Sequence, residues 1–449
     1  MNEPASHGLG LIGARTATFV VMANMVGAGV FTSLGFQVAA IPSAFPLLML
    51  WAVGGVYALC GAVSYGELAA AMPRSGGEYQ YLSRIYHPAV GFLAGWISIT
   101  VGFAAPVAAA AMALGRYLSR VIPGANPTIT ALVAVAAISG VHLFSVGVRS
   151  RFQGFFTSFK LLLIVAFIVG ALVLAAPQPV RFGPQPGDLR ALFSAPFAVS
   201  LVYVTYAYSG WNASVYVAGE VRNPARSIPL SLICGTLIVT ALYLLLNFVF
   251  LYSTPMAALA GQVEVGYVAA DAILGVRGGR IMGFLISFGL VSAISSMVWA
   301  GPRVLMALGQ DMRAFGWLAP LNRHRVPYRA VLAQTALVVV LIVTSSFERV
   351  ITFLGFVLSA CAFLTVLGLF VFRWRWPAAP RPYRTWGYPV TPALFLIVTG
   401  WMLVFLLRFR PVESLAGLAA VALGIPVYLW VARSGAAAPA RLDGVGEQP

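Results

Sequence analysis

The amino-acid sequence predicts an all-α integral membrane protein with twelve transmembrane helices. Hydrophobic residues make up 60% of its 449 residues and charged residues only 9%, and the mean hydropathy is +0.90. In soluble domains, about a quarter of all residues are charged. Apolar runs of about 20 residues recur along the whole chain, and at roughly 1.5 Å per residue each run can cross a hydrocarbon layer about 30 Å thick. We therefore expect no sizeable soluble domain.

The predicted spans follow one another with short connections. Their bounds are 11–40, 45–71, 89–118, 128–148, 152–176, 196–218, 231–252, 279–309, 328–346, 349–372, 390–409 and 415–431. The domain prediction is a cytoplasmic tail (1–10), spans one to five (11–176), an outer connection (177–195), spans six to ten (196–372), a cytoplasmic connection (373–389), the last two spans (390–431) and a second cytoplasmic tail (432–449). In the outer connection 253–278, we expect a surface helix over the mouth of the protein.

The charge distribution indicates orientation in the cell membrane. The net charge is +16 and the isoelectric point is near 10.3, but the arginines are scattered through short connections and form no patch for nucleic acid. With both termini in the cytoplasm, most arginines lie on the cytoplasmic side, as the positive-inside rule requires. The first residues lack a basic start and a small-residue cleavage site, so no cleavable signal is expected. The expected partner is the lipid bilayer.

The cysteines predict neither a disulfide nor a metal site. Cys60, Cys234 and Cys361 all lie within apolar runs and lack metal-ligand spacing, so we interpret them as small buried hydrophobic residues. We expect no cofactor.

Two spans contain small and polar residues where a continuous helix is expected. Gly27, Ala28 and Gly29 interrupt the first span, and residues 209–212 (Ser-Gly-Trp-Asn) interrupt the sixth. Exposed backbone at membrane depth is tolerated only where it lines a cavity or is buried in protein. Close helix packing is the alternative, because glycine is frequent at helix contacts in membranes.

The two interruptions occupy corresponding positions if spans one to ten form two five-helix repeats of opposite topology. Transporters built this way place paired broken helices at the interface of the repeats. Half-helix N-termini then face a substrate carboxylate, and free carbonyls face its cationic group. The sequence therefore predicts discontinuous helices one and six in a five-plus-five inverted-repeat core, followed by two additional C-terminal helices.

Lys160 is the only lysine among 28 lysine and arginine residues, and it lies inside the fifth predicted span. Arginine keeps its proton in proteins, whereas a desolvated lysine can lose one. We infer that this position uses an amine that can titrate. The alternative is snorkelling to the cytoplasmic interface, but Lys160 is eight residues past Phe152, roughly 12 Å along a helix axis.

Four segments together resemble the amino acid-polyamine-organocation (APC) superfamily of transporters, over nearly the whole chain. They are GAG at 27–29, PRSGGEYQY at 73–81, YAYSGWN at 206–212 and GEVRNPARSIP at 219–229. The sixth-span segment is most similar to the L-type amino acid transporters and their bacterial relatives, a branch that generally works without sodium. The resemblance implies a leucine-transporter-like fold.

The resemblance also implies a substrate site built largely from backbone groups. Amides around Ala28 and Gly29 would bind the α-carboxylate of an amino acid, and carbonyls near Tyr206, Ala207 and Ser209 would receive its α-ammonium. Many relatives have serine or isoleucine in place of Ala28, and phenylalanine in place of the gate residue Tyr206. The candidate substrate-binding residues are Val26, Gly27, Ala28, Gly29, Tyr206, Ala207, Ser209, Gly210 and Asn212, the last of which would line the pocket or steady the unwound turn.

In sodium-independent relatives, a fifth-span lysine lies near the position of a coupling cation, and Lys160 matches that lysine. Its expected partners are carbonyls near Met25, Val26 and Gly27, and hydroxyls of the eighth span. The candidate coupling residues are Lys160, Ser292, Ser295 and Ser296. Tyr206 is a candidate aromatic gate residue. Glu220 and Arg222 are candidates for closing an inner gate, although a solvated loop pair is the alternative.

The remaining buried polar candidates have structural interpretations. Glu67 and Arg303 lie near cytoplasmic helix ends, where pairing with loop charges is expected. His142 is alone in an apolar helix, so we expect a satisfied structural histidine and no proton relay.

These observations predict a sodium-independent transporter of neutral amino acids that works by alternating access. The stretches 102–108 and 289–291, expected to face the pocket, offer no carboxylate to a cationic side chain. Coupling to protons by symport and exchange of amino acids both remain open. The alternatives are a polyamine or ethanolamine carrier of the same superfamily, an intramembrane enzyme and a channel. No catalytic cluster supports the enzyme, and no polar stripe supports the channel. The oligomeric state is open.

Overall fold

The computed structural model describes residues 12–74, 76–144, 149–311, 313–324 and 326–433. Its helices are α1 (Ala14–Met25), α2 (Gly29–Ala40), α3 (Ala44–Ala71), α4 (Gly77–Ile85), α5 (Pro88–Ile97), α6 (Ala104–Val121), α7 (Pro127–Phe144), α8 (Arg149–Leu174), α9 (Asp188–Ala191), α10 (Ala195–Tyr208), α11 (Pro224–Ser253), α12 (Met256–Leu259), α13 (Val265–Asp311), α14 (Tyr328–Thr344), α15 (Phe347–Arg375), α16 (Val390–Phe409) and α17 (Pro411–Arg433). A π-helix (Ser98–Gly102) and two 3₁₀ helices (Ala213–Glu220 and Arg313–Leu318) complete the order.

Across the described residues the chain is all helical, apart from one isolated backbone bridge between Ile12 and Val221. Nine helices in this part are long and apolar enough to cross a membrane, and the bent pair α1 and α2 makes a tenth span. The twelve-span count and the inverted repeat stay predictions. The predicted tail at 1–10, residues 434–449 of the predicted tail 432–449, the end of the fourth span at 145–148 and Ser75 of the loop motif lie outside the described residues.

The first span is divided as the glycines predict. α1 ends at Met25, α2 begins at Gly29, and the two helices are bent by 41°. In the sixth span, α10 ends at Tyr208 and a turn leads into the first 3₁₀ helix. Gly210 in that turn has a φ of +95°, and a Cβ there would lie 2.8 Å from the backbone carbon of Asn24. Only glycine fits this turn, because other residues avoid positive φ and would collide with α1.

The third span contains a π-helical segment that the hydropathy pattern does not predict. It separates α5 from α6 at Ser98–Gly102, four residues before Pro106. Proline has no N–H to donate to the carbonyl at position 102, and its ring clashes with that carbonyl in a regular α-helix. The wider π turn relieves this clash, and such turns are frequent at functional sites.

Several helices extend beyond their predicted bounds. α11 begins at Pro224 instead of 231, and α13 begins at Val265 instead of 279, with a kink at Gly275. The connection 253–278, where a surface helix was predicted, contains the short α12 and the part of α13 that precedes the non-helical residue Gly275. The prediction followed hydropathy, whereas helical hydrogen bonding continues through polar residues beyond an apolar run.

The helices pack around one buried cluster that surrounds the two broken spans. α11 makes extensive contacts with both α3 and α1, and α13 with α6. α10, which follows Ser194, is one half of the broken sixth span, and α2, which follows Ala28, is one half of the broken first span. These two helices also pack against each other. The side of the bundle that carries Ile12 and Val221 is called the inner side below, and the opposite side the outer side.

Candidate functional site

A small cavity lies between the two broken spans. Its volume is about 40 Å³, enough for roughly three water molecules at 10–15 Å³ each. Its walls come from the first, third, sixth and eighth predicted spans. The lining residues are Ala23, Asn24, Met25, Val26, Gly27, Ala28, Gly29, Pro106, Ala110, Tyr206, Ala207, Ser209, Ala293, Ser296 and Met297.

The N-terminus of α2 opens onto this cavity. Ala28 precedes its first residue, Gly29, and both line the cavity wall. The first amides of a helix have no partner within the helix, and the helix dipole adds positive potential there. No side chain caps α2. This end of the cavity is therefore suited to a carboxylate.

The C-terminal end of α10 faces the same cavity with the opposite polarity. Tyr206, Ala207 and Ser209 all line it. The carbonyl of Tyr206 accepts a hydrogen bond from the Ser209 amide at 3.0 Å, and the carbonyl of Ala207 accepts one from the Tyr243 hydroxyl at 3.1 Å. Each carbonyl oxygen has two lone pairs, so both retain capacity for a substrate ammonium.

The two breaks are held in direct contact by a glycine. A Cβ at Gly29 would lie 2.5 Å from the Cα of Ala207 and 2.8 Å from its Cβ. Any side chain here would separate the two backbones. At Gly27, by contrast, a Cβ would meet nothing within 4 Å. The two glycines therefore differ in purpose: Gly29 allows close approach, whereas Gly27 has open space beside it.

Lys160 extends into the protein beside the first break. Its side chain is 5% exposed, and its ammonium donates to the carbonyl of Val26 at 2.6 Å and to that of Ala23 at 3.3 Å. These carbonyls lie at the negative end of the α1 dipole. Gly289 of α13 leaves room for the lysine stem, since a Cβ there would lie 3.3 Å from the lysine Cγ. This placement is incompatible with snorkelling.

The described part of the chain contains no carboxylate that pairs with Lys160. Its charge is met by backbone carbonyls alone. Of the predicted carbonyl partners, Val26 contacts the ammonium, whereas the Met25 carbonyl accepts a hydrogen bond from Tyr243 at 2.7 Å.

The three predicted serines of the eighth span have different surroundings. The Ser292 hydroxyl is buried and has no hydrogen-bond partner. Ser295 bonds instead to the imidazole Nε2 of His142 at 2.8 Å, and Ser296 donates to the Ala293 carbonyl while lining the cavity. The expectation that Ser295 contacts Lys160 is therefore wrong. Ser295 and Ser296 are adjacent, and successive helix residues are rotated by about 100°, so these two side chains point in different directions.

Asn212 and Gly210 do not line the cavity, contrary to the simplest expectation. The Asn212 amide donates to the Glu78 carboxylate at 3.3 Å and to the Tyr216 hydroxyl at 3.4 Å, so it steadies the unwound turn. Glu220 has an exposed side chain. Its carbonyl accepts a hydrogen bond from the Ile12 amide at 3.1 Å, which joins the ends of the first and sixth spans.

The sequence did not predict the roles of Tyr243 and Asn24, whereas Pro106 lies in the stretch 102–108 that was expected to face the pocket. Tyr243 is fully buried in α11, and its hydroxyl lies between the carbonyls of Met25 and Ala207, one in each break. A single tyrosine in an apolar span carries no signal of such a position. Asn24 is three residues before Gly27, and its polarity within an apolar run was an available signal.

The structural interpretations of Glu67 and His142 hold. Glu67 is fully buried and accepts two hydrogen bonds from the guanidinium of Arg373, at 2.8 and 2.6 Å, with Arg381 3.7 Å away. Pairing of Glu67 with loop charges is therefore confirmed. Arg303 stacks on Trp299, and His142 is bonded to Ser295, as expected for a satisfied histidine.

Comparison with known proteins places this arrangement among amino acid carriers. A family model described as amino acid permease matches residues 12–428. The large neutral amino acids transporter small subunit 2 of Mus musculus is 27% identical over 428 residues, which cover 93% of this chain and 80% of that protein. The Asc-type amino acid transporter 1 of Homo sapiens is 25% identical, with 93% and 81% covered. The b(0,+)-type amino acid transporter 1 of Homo sapiens is 26% identical, with 89% and 83% covered.

Proposed function

Because the chain belongs to the amino acid permease family of the APC superfamily, we propose that it carries neutral amino acids across the cell membrane without sodium, by alternating access. It is a transporter and not an enzyme, and its substrates are amino acids. Both termini lie in the cytoplasm in this proposal.

The observation that carries the proposal is the contact between the Lys160 ammonium and the carbonyl of Val26. Carbonyls released from a broken helix attract a cation. An ammonium already bound there repels a second cation, by about 4 kcal/mol at 4 Å and an effective dielectric of 20. Binding of sodium at this position is therefore unfavourable.

The cavity supports a zwitterionic substrate with a neutral side chain. The amide end of α2 suits its carboxylate, and the carbonyl end of α10 suits its ammonium. The facing wall is apolar, with Pro106, Ala110 and Ala293, and no charged side chain lines the cavity. A charged substrate side chain would be desolvated without a partner there.

All three relatives support an amino acid substrate, and the name of one of them supports a neutral one. Their names specify large neutral amino acids and Asc-type and b(0,+)-type amino acid transport. An amine without a carboxylate would leave the first amides of α2 unpaired, so we expect polyamines and ethanolamine to compete poorly.

Uptake into proteoliposomes tests the proposal. We expect a radiolabelled neutral amino acid to accumulate equally with sodium or choline outside. If an inward proton gradient alone drives accumulation, transport is symport; if unlabelled internal amino acid is required, transport is exchange. Absence of flux for every neutral amino acid under all of these gradients would refute the proposal.

A further inference from the structure

Glu78 is a buried carboxylate at the start of α4, outside the cavity. Its side chain is 5% exposed. Within the described ranges, the ion pairs connect other acids to arginines, and none includes Glu78. Burying a carboxylate without a cation is costly unless hydrogen-bond donors surround it. Its surroundings therefore require an explanation.

The donors to Glu78 come from two other elements. The Tyr65 hydroxyl of α3 donates to its Oε1 at 2.7 Å, and the Asn212 amide donates to the same oxygen at 3.3 Å. The second hydrogen of that amide points to the Tyr216 hydroxyl at 3.4 Å. Asn212 directly follows Trp211, at the inner end of the break in the sixth span. The carboxylate thus contacts the segment that shapes the substrate site.

The approach of α4 to the sixth span is built into the backbone. Gly76 and Gly77 have φ angles of +120° and +52°, which favour glycine. A Cβ at Gly77 would lie 2.6 Å from the ring of Tyr216. The two glycines therefore bring the first turn of α4, which carries Glu78, against the inner half of the sixth span.

We propose that Glu78 is a positioning residue for transport: its carboxylate holds the inner half of the sixth span through Asn212, and its protonation releases that half. This inference rests on the proposed function. As an anion, Glu78 strengthens every hydrogen bond it accepts. When neutral, it accepts more weakly and donates a proton of its own, which the Asn212 amide hydrogens cannot receive.

Among the surrounding groups, Glu78 is the one that takes up a proton as the pH is lowered from about 8. The titratable or charged groups around it are Tyr57 and Tyr65 on α3, Tyr81 and Arg84 on α4, Tyr216 on the 3₁₀ helix and Cys361 on α15. Ordinary thiols and phenols titrate above about pH 8.

Burial raises the pKa of Glu78, and hydrogen bonds from Tyr65 and Tyr216 oppose the rise. The carboxylate is therefore present at high pH and takes up a proton at a higher pH than an exposed glutamate does. At pH values above the pKa of Glu78, the carboxylate is ionised and its hydrogen bond with the Asn212 amide is strongest. This hydrogen bond weakens as the pH falls through that pKa.

Binding of a neutral amino acid to the purified full chain, measured between about pH 8 and pH 5, tests the inference. We expect the affinity of the wild type to fall as the pH is lowered. Glu78→Gln should bind roughly tenfold more weakly at pH 8, equivalent to about 1.4 kcal/mol, and its affinity should vary less with pH than that of the wild type. Tyr65→Phe removes one donor, so its midpoint should move to higher pH. Glu413→Gln, an acid-to-amide change in α17, is the matched control.

The outcomes separate this inference from the proposed function. If wild type binds no amino acid at any pH, the proposed function is wrong. If wild type binds and Glu78→Gln keeps its affinity and pH profile, the positioning role is wrong. If Glu78→Gln does not fold, the shift in Tyr65→Phe decides, since an unmoved midpoint in that variant contradicts the inference.

Discussion

Single residues define the candidate site more than any side-chain cluster does. Lys160 places a positive charge beside backbone carbonyls, and Gly29 has no side chain at the point where two backbones meet. Neither role needs a second polar side chain. A site of this kind is sensitive to changes in charge and volume at very few positions.

Lys160→Ala should lower the initial rate of amino acid uptake by roughly tenfold or more, because two carbonyls beside the break lose a charged donor worth about 1.5–3 kcal/mol. The response of uptake to pH should be smaller than that of the wild type as well, because only the contribution of Glu78 remains. Proteoliposome uptake measures both. Phe155→Ala on the same helix, where the ring is 61% exposed, is the control. A wild-type rate and pH response in Lys160→Ala would contradict the role assigned to the lysine.

Gly29→Ala should weaken substrate binding at least tenfold, because its Cβ would lie 2.5 Å from the Ala207 Cα and force the two breaks apart. Gly140→Ala in α7 is the matched control, since a Cβ there meets nothing within 4 Å and Gly140 is not among the cavity-lining residues, so affinity should change little. Equilibrium binding of a labelled amino acid measures both. Equal affinities in the two variants would show that the contact at Gly29 does not shape the site.

At the scale of the element, a buried ion pair connects distant parts of the chain. Glu67 near the inner end of α3 contacts Arg373 in the last turn of α15 and the Thr385 amide in the following connection. Arg373 also lies 3.7 Å above the ring of Tyr388. The connection after α15 is therefore fixed to the bundle by charge and by stacking together.

Glu67→Gln should lower the free energy of unfolding by about 3 kcal/mol, the lower end for a buried pair that loses one partner. The two arginines are 22% and 13% exposed and recover part of their hydration. A thermal melt of the purified protein measures the change, with Glu413→Gln as control. A melting temperature equal to that of the control would contradict the account.

The sequence predicts the bounds of structural elements well where glycine or polar residues interrupt an apolar run. Gly27 and Gly29 mark the first break, and residues 209–212 mark the second. The π turn before Pro106 was missed because proline in a membrane span indicates a distortion without specifying which one. The sequence did not predict the turns of α13 before residue 279, because hydropathy indicates which residues lie in the membrane and not where a helix begins.

Within the site, the sequence predicts which segments meet but not which way each side chain points. The contact of Lys160 with Val26 could be anticipated from a charge near released carbonyls. The contact of Ser295 with His142 could not, because it depends on the rotation of α13 about its own axis.

At the scale of the whole molecule, the two sides of the bundle are closed by different interactions. On the outer side, Glu348 accepts hydrogen bonds from Tyr203 of α10 at 2.9 Å and from Arg410 at 2.6 Å, and Phe36 stacks on Tyr203. These contacts join the sixth and tenth spans to the connection between the last two. Both charged side chains are about a third exposed.

Arg410→Met should lower the free energy of unfolding by less than about 1 kcal/mol, because partly exposed pairs are screened by water and salt. The difference from wild type should shrink further at high salt. Thermal melts at low and high ionic strength measure it. A loss as large as that of Glu67→Gln would show that the outer pair is more strongly desolvated than its exposure indicates.

The backbone bridge on the inner side has a consequence for the transport cycle. The amide of Ile12 bonds to the Glu220 carbonyl, and the amide of Arg222 bonds to the Ile12 carbonyl at 2.9 Å. Main-chain groups make both bonds, so ordinary side-chain evolution leaves them intact. Unless these bonds are exchanged for water, the segment that precedes α1 and the end of the 3₁₀ helix must move together.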